Sequence, residues 1–200
     1  PTENADAQEV IQLIKAEGRT AVELPGDITN EQWCRDLVAE AVQKLGGLDI
    51  LVINAGRQQS REDISEVSSE DFDKTLKTNL YAMHWIAQAA VTHLPPGGSV
   101  ITTASVQAYE PSATLLDYAT TKAGIVAYTK ALAKQLLEKG IRANVVAPGP
   151  FWTPLQVSGG QPPEKVMKFG IGTPYGRPGQ PVEIAPVYVL LASQEGSFIN

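Results

Sequence analysis

Residues 48–53 read Leu-Asp-Ile-Leu-Val-Ile and stand between Gly46-Gly47 on one side and Asn54 on the other. A short, nearly unbroken apolar segment between turn residues is typical of a parallel β-strand that is covered on both faces. Parallel strands are joined by crossovers that usually contain a helix. This segment therefore favours a fold in which strands and helices alternate.

The rest of the chain shows that alternation. Apolar segments predict further strands at 21–24, 99–103 and 144–147. Helical periodicity predicts helices around 10–17, 32–45, 72–94, 117–139 and 182–192. Thr29, three residues before Gln32, has the spacing of a capping box at a helix start. We therefore expect an α/β protein, with a Rossmann-like, doubly wound parallel sheet between two layers of helices.

Composition excludes several classes of protein. The hydrophobic share of 43% suits one globular domain of 200 residues, and a charged share of 19% is too low for a disordered chain. The net charge of −6 disfavours nucleic acid and anionic membranes as partners. The single cysteine, Cys34, excludes an internal disulfide and a cysteine-based zinc site. Since no apolar run reaches about 18 residues, we expect a soluble, cytoplasmic, single-domain protein.

Polar residues and glycines follow each predicted strand. Parallel sheets place ligand sites at the carboxyl ends of their strands. The residues at those ends are Asp27, Asn54-Ala55-Gly56, Ser105 and Pro148-Gly149-Pro150. Each alone is typical of a turn, but together they are expected to surround one crevice. Residues 150–181, rich in proline and glycine and long for a loop, are expected to form a lid over it, with a mobile excursion as the alternative.

Tyr118 and Lys122 are spaced i, i+4 near the start of the helix predicted at 117–139. This spacing places them on one face, with their Cβ atoms about 5–6 Å apart. An ammonium beside a phenol favours the phenolate and lowers its pKa from about 10, which allows proton exchange near neutral pH. For this pair alone, two neighbours on a solvated helix face are the simpler interpretation.

An ordered set of motifs favours chemistry instead. Ser105 lies 13 residues before Tyr118, at a strand end, and Asn79 stands inside a predicted helix although asparagine is a poor helix former. With Asn54-Ala55-Gly56, Tyr118-x-x-x-Lys122, and Pro148-Gly149 before Phe151-Trp152-Thr153, the chain resembles the single-domain branch of the short-chain dehydrogenase/reductase family. Residues 115–118 and 147–153 are most similar to bacterial NADP-dependent aldehyde reductases and general-stress oxidoreductases.

The resemblance implies a hydride-transfer site. Tyr118 would be the general acid and base on the substrate's carbonyl or hydroxyl oxygen, and Ser105 would hydrogen-bond the same oxygen. Lys122 would bind the nicotinamide ribose and lower the pKa of Tyr118, while Asn79 would hold a water of the proton relay. The cofactor would be NADP, with NAD left open, and it would carry the hydride.

The resemblance also implies which residues surround that cofactor. In addition to Tyr118 and Lys122, they are Asp27 and Ile28 at the adenine ring, Asn54, Ala55 and Gly56 near the adenosine ribose, and Pro148, Gly149, Trp152 and Thr153 at the nicotinamide. Gly56 and Gly149 suit this independently, because a backbone approached closely by a ligand favours a residue without a Cβ.

The chain departs from the family at both ends. The family's glycine-rich loop, Thr-Gly-x-x-x-Gly-x-Gly, has no counterpart, and residues 197–199 resemble the start of a last strand. We therefore expect residues 1–200 to be one incomplete domain of a longer polypeptide, lacking the first two strands and the last strand. The absence of the first two strands would leave a gap of about 14 Å in the sheet. The charged residues by which the family distinguishes NADP from NAD lie in the glycine-rich loop and just after the second strand. The preference for NADP therefore rests on the resemblance.

The expected partners are a small substrate and further copies of the chain. An apolar lid over a polar catalytic end suits a small aldehyde, ketone or sugar-like alcohol, with a 3-oxoacyl thioester as the alternative. The family implies a dimer or tetramer through the 71–94 and 117–139 helices. A row of small residues on the second helix permits close packing, whether between subunits or within one: Ala119, Ala123, Ala127 and Ala131.

Two other functions use the same fold. A cofactor-binding redox sensor or scaffold usually breaks one of the four catalytic positions, whereas all four are present here. An epimerase needs a larger substrate region than the chain that follows Pro148-Gly149. His84 and His93 stand nine residues apart without companion ligands, so no metal site is expected.

Overall fold

The computed structural model describes residues 4–200 and contains a parallel sheet with helices on both faces. The strands are β1 (Ile50–Ile53), β2 (Ser99–Thr103) and β3 (Arg142–Val146), in the order β1-β2-β3. The helices are α1 (Asn4–Ala16), α2 (Glu31–Leu45), α3 (Ser69–Leu76), α4 (Ala82–Ala90), α5 (Leu116–Leu136), α6 (Pro154–Ser158), α7 (Pro163–Met167) and α8 (Pro181–Ala192). The predicted α/β class with a parallel sheet is confirmed.

Alternating side chains of the sheet pack against different helices. Val100 joins a core cluster with residues of α5, and the Thr102 hydroxyl lies 2.7 Å from that of Thr129 in α5. On the opposite face, Ile101 packs against Leu191 of α8. This period of two places α4 and α5 in one layer and α8 in the other, with the sheet between them.

β1 differs from the prediction of a strand covered on both faces. Ile53 packs against the α4–α5 layer. On the other face Ile50 and Val52 are 44% and 46% exposed, since α8 contacts β2 and β3 there. The nearly unbroken apolar segment therefore identified a strand, although within residues 4–200 one of its faces is only partly buried and the other is exposed.

The strand predicted at 21–24 is wrong. Residues 19–27 have no regular secondary structure, and within the described residues β1 is bonded only to β2. A short apolar segment becomes a strand only where a neighbour supplies partners for its N–H and C=O groups. The predicted cap is also displaced by one residue, because Asn30 caps α2 by accepting from the Trp33 N–H at 3.1 Å, whereas the Thr29 hydroxyl donates to Asp27.

The 150–181 segment is not structureless. It contains α6 and α7, and its two ends meet in a parallel bridge between Phe151 and Gly179. The Trp152 N–H donates to the Gly179 carbonyl at 2.8 Å, and the Gly179 N–H donates to the Pro150 carbonyl at 2.9 Å. Separately, no helix among residues 4–200 is long and apolar enough to cross a membrane.

We expect Ile101→Ala to lower the free energy of unfolding by about 3 kcal/mol, because it leaves a cavity between the sheet and α8. Ile101 is fully buried. Urea denaturation measures the loss, with Val182→Ala as the control because Val182 is 74% exposed. The control should change stability by less than about 0.5 kcal/mol; equal losses for both variants would contradict this account of the core.

Candidate active site

A cavity of about 1050 Å³ lies at the carboxyl ends of the three strands. Nine of the residues predicted to form the site line it: Asn54, Ala55, Gly56, Ser105, Tyr118, Lys122, Pro148, Gly149 and Thr153. Four others do not: Asp27, Ile28, Asn79 and Trp152. The sheet therefore brings together the residues that follow β1, β2 and β3, as the parallel topology predicts.

The predicted residues outside the cavity wall have other contacts. The Asp27 carboxylate accepts the Thr29 N–H at 2.9 Å and the Thr29 hydroxyl at 2.8 Å, which lowers its pKa. The Ile28 carbonyl accepts from the Cys34 thiol at 3.1 Å. The Trp152 ring, 41% exposed, lies tilted at 6.3 Å from the Phe169 ring. Asp27 and Ile28 thus shape the turn into α2.

Ser105 follows β2 in a loop fixed by β3. The Ala104 N–H donates to the Val146 carbonyl at 2.7 Å, and the Val106 N–H donates to the Pro148 carbonyl at 2.9 Å. The Ser105 hydroxyl accepts the Gln107 N–H at 3.2 Å and caps a 3₁₀ turn. Backbone bonds on both sides therefore hold the serine in the cavity wall.

Tyr118 lies in the first turn of α5 and is 7% exposed. Burial raises the pKa of Tyr118, and hydrogen bonding with the Ser105 side chain lowers it by a smaller amount. The net shift is upward, whereas the sequence predicted a lowered pKa, and the contribution that opposes burial comes from Ser105. At neutral pH the hydroxyl is consequently protonated.

Lys122 is a buried cation directed at the sheet. Its Nζ donates to the Thr103 carbonyl at 2.8 Å and lies 5.3 Å from the centroid of the Tyr118 ring. Burial lowers the pKa of Lys122 from 10.5 to about 8, so the amine is mostly charged at neutral pH. Its contact is with the face of the ring and not with the phenol oxygen, which explains why it does not dominate the pKa of Tyr118.

Asn79 interrupts the helix predicted at 72–94. A π-helical turn, Lys77–Tyr81, separates α3 from α4 and contains this asparagine, which is 2% exposed. Its Oδ1 accepts the Arg57 N–H at 2.7 Å, and its Nδ2 donates to the Arg57 carbonyl and to the Thr121 hydroxyl, both at 2.9 Å. Such turns often occur at functional sites. Here the turn ties the loop after β1 to α5.

A polar network behind the cavity was not found from the sequence. The Asp71 carboxylate accepts from Arg57 at 2.6 Å and from Arg61 at 2.9 Å. Arg57 also donates to the Thr75 hydroxyl, which donates to buried Asp117 at 2.6 Å. Asp117 in turn accepts the Tyr118 N–H at 2.8 Å. The network fixes the first turn of α5, and the only sequence signal for it was the position of Asp117 beside Tyr118.

The sequence also did not identify Gln58, which lines the cavity and is buried. Nothing in its local pattern separates it from an exposed loop glutamine, because its burial depends on the 150–181 segment. In the part of the chain that the structure describes, no group of three or more His, Cys, Asp or Glu residues could hold a metal ion.

Known proteins resemble the chain along its length. Residues 2–200 match the family model described as enoyl-(acyl carrier protein) reductase. The chain is 55% identical over 200 residues to the uncharacterized oxidoreductase YghA of Escherichia coli, covering 100% of this chain and 68% of that protein. It is 41% identical over 194 residues to the NADPH-dependent aldehyde reductase 1, chloroplastic, of Arabidopsis thaliana, covering 95% of this chain and 67% of that protein.

A solved structure is similar in fold as well. It is a short chain dehydrogenase from Burkholderia cenocepacia in complex with NADP, with a TM-score of 0.86 and 29% sequence identity. The alignment covers 99% of this chain and 80% of that one. The likeness therefore extends over both helical layers and the sheet.

We expect Asp117→Asn to lower the free energy of unfolding by about 1–3 kcal/mol, because the amide cannot accept both the Thr75 hydroxyl and the Tyr118 N–H. Urea denaturation at pH 7 measures the effect. Asp73→Asn is the matched control, since Asp73 is exposed and paired with Lys77 at 2.8 Å; it should cost less than about 0.5 kcal/mol. An Asp117→Asn protein as stable as the control would contradict the structural role of the network.

The burial of Lys122 predicts a pH dependence of stability. Because its pKa is about 8 in the folded protein and 10.5 as a free side chain, the unfolded chain binds more protons between these values, and stability rises with pH. Relative to Lys122→Met, the wild-type free energy of unfolding should rise by about 2 kcal/mol between about pH 7 and about pH 9.5. Parallel pH profiles of the two proteins would contradict the burial of a titrating amine.

Proposed function

Because the chain belongs to the short-chain dehydrogenase/reductase family of oxidoreductases, we propose that it transfers hydride between NADP and a small carbonyl or alcohol substrate. The family membership confirms the resemblance found in the motifs. The observation that carries the proposal is the meeting of Ser105, Tyr118 and Lys122 in the wall of one cavity.

In the proposed reaction Tyr118 exchanges a proton with the substrate oxygen. During reduction its hydroxyl donates the proton to the carbonyl oxygen, and during alcohol oxidation the phenolate takes it back. The raised pKa of Tyr118 keeps that proton in place at neutral pH. The Ser105 hydroxyl donates a hydrogen bond to the same oxygen and so fixes its position.

Lys122 supports this exchange through its charge. The ammonium lies 5.3 Å from the centre of the Tyr118 ring and stabilises the phenolate as it forms. We propose that Asn79 extends the proton relay through a water, because its side chain and the Lys122 amine both lie near Gly56. A Cβ on Gly56 would lie 3.6 Å from both Asn79 Oδ1 and Lys122 Nζ, so the two atoms face the same glycine.

The cavity also fits a nicotinamide cofactor, which supplies the hydride when bound. An ammonium has three N–H donors, and the Thr103 carbonyl takes one of those on Lys122, which leaves donors for ribose hydroxyls. The absence of a Cβ at Gly56 keeps the space beside this amine open. The residues that would surround the cofactor are Asn54, Ala55, Gly56, Pro148, Gly149 and Thr153 in the cavity wall, with Asp27, Ile28 and Trp152 further out.

NADP is proposed over NAD on the strength of relatives. The printed names of the Arabidopsis reductase and of the Burkholderia structure specify NADPH and NADP. The 150–181 segment is proposed as the lid, because Leu155, Gln156 and Phe169 line the cavity. A homo-oligomer through the 71–94 and 117–139 helices is supported by Ala123 and Ala127, which are exposed, so packing among residues 4–200 does not explain them.

A small neutral carbonyl is favoured over a 3-oxoacyl thioester, although the matching family model names an acyl carrier protein reductase. Lys165, the basic side chain of the lid that lines the cavity, is paired with Glu62 at 2.9 Å. A long anionic carrier would require unpaired cations at this entrance.

We expect Tyr118→Phe to lower kcat for carbonyl reduction by about 100-fold or more, because the proton donor is lost. NADPH absorbance measures turnover over a panel of aldehydes, ketones and polyols. Tyr109→Phe is the matched control, since Tyr109 is 61% exposed and outside the cavity wall. NADPH affinity, measured by fluorescence, should be similar in all three proteins.

Two results would contradict the proposed function. Turnover of every accepted substrate by Tyr118→Phe at the wild-type rate would exclude its role in proton transfer. Tight NADPH binding by the wild type without turnover of any carbonyl or alcohol would favour the redox sensor or scaffold.

A further inference from the structure

The carboxamide nitrogen of Gln58 is a donor without a partner. Gln58 is 6% exposed and lines the same cavity as Ser105 and Tyr118. Among residues 4–200, its Nε2 is the one buried side-chain nitrogen or oxygen that makes no hydrogen bond. Buried polar groups in folded proteins are nearly always paired. The missing partner therefore indicates a bound molecule that supplies an acceptor for this nitrogen.

Gln58 lies between the two segments that close the cavity over Tyr118. The Ser60 N–H donates to the Gly159 carbonyl of the 150–181 segment at 2.7 Å. The Arg61 N–H donates to the Thr114 carbonyl at 2.9 Å, in the loop that leads into α5. A Cβ on Gly159 would lie 2.8 Å from Gln58 Nε2. Glycine at 159 thus leaves room for the carboxamide.

Several other polar side chains near Gln58 in this cavity wall have a partner in the protein. Gln107 Oε1 accepts the Ser112 N–H at 2.6 Å. The hydroxyls of Ser112 and Thr114 lie 3.2 Å apart. Gln161 Nε2 donates to Gln156 Oε1 at 3.0 Å. Among the described residues, Gln58 Nε2 is thus the buried donor of this wall that has no partner in the protein.

The charges around Gln58 indicate a neutral ligand group. Arg57 and Arg61, on the same loop, both donate to Asp71. Lys165, across the cavity edge, is paired with Glu62. Because each of these cations already has a carboxylate partner, a phosphate or carboxylate at this position would lack a counter-charge, whereas a hydroxyl requires only the amide donor.

We propose that Gln58 Nε2 donates a hydrogen bond to a hydroxyl oxygen of the substrate and so selects hydroxylated aldehydes and the polyols that they form. The inference rests on the proposed function, because it assigns Gln58 to the molecule that reacts at Tyr118. Gln58 determines specificity in this account and takes no part in proton transfer.

The test compares two three-carbon aldehydes, glyceraldehyde and propanal, which differ in two hydroxyl groups. Gln58→Met keeps the side-chain length and removes the donor, and Gln58→Glu keeps the shape and replaces the donor with an acceptor. Both variants should lower kcat/KM for glyceraldehyde about tenfold relative to propanal. The Kd for NADPH should be unchanged. Gln59→Met, the same substitution at the next residue and outside the cavity wall, should leave the ratio of the two kcat/KM values at the wild-type level.

The outcomes separate this inference from the proposed function. If the wild type reduces neither these aldehydes nor any other carbonyl, the proposed function fails and the inference fails with it. If the wild type reduces both aldehydes and the Gln58 variants keep its ratio, only the inference fails. A weaker NADPH affinity in the Gln58 variants would place the residue at the cofactor and would also overturn it.

Discussion

The pairing of β2 with β1 on one side and β3 on the other is the constraint on which the site depends. The first four residues of β2 are buried. Its side chains contact both helical layers: the Ser99 hydroxyl donates to the Leu191 carbonyl of α8 at 2.9 Å, and the Thr102 hydroxyl lies against Thr129 of α5. The strand ends at Thr103, whose carbonyl accepts from Lys122, and Ser105 follows two residues later. A strand fixed on four sides thus positions two functional groups within three residues.

The positions of Tyr118 and Lys122 depend on polar contacts between segments that are distant in the sequence. Asn79 joins the loop after β1 to α5, and Asp117 joins α5 to α3 through Thr75. Each of these side chains is buried and bonded, so moving one segment would leave a polar group unpaired. The cost of an unpaired buried group makes the arrangement specific, and it holds Tyr118 and Lys122 in a region where burial shifts the pKa of both.

The sequence predicted the features that depend on short-range patterns. The strand at 99–103, the helical spacing of Tyr118 and Lys122, and the order of motifs led to the fold class and the cavity wall. The strand at 21–24 failed because a strand also needs a neighbour, which no local pattern records. The predicted lowering of the Tyr118 pKa was wrong for a related reason, since the burial of a side chain depends on segments far along the chain. The π-helical turn at Asn79 had no sign in the sequence other than the presence of asparagine, a poor helix former, inside a predicted helix.

The bridge between Phe151 and Gly179 closes the 150–181 segment on itself, outside the hydrogen bonding of the sheet. Because the two ends are bonded to each other, changes of length or sequence between them need not disturb the strands or the first turn of α5. Natural variation can therefore accumulate in this segment while the proton-transfer residues stay in place. A fold divided in this way can acquire new substrates by altering one self-closed loop.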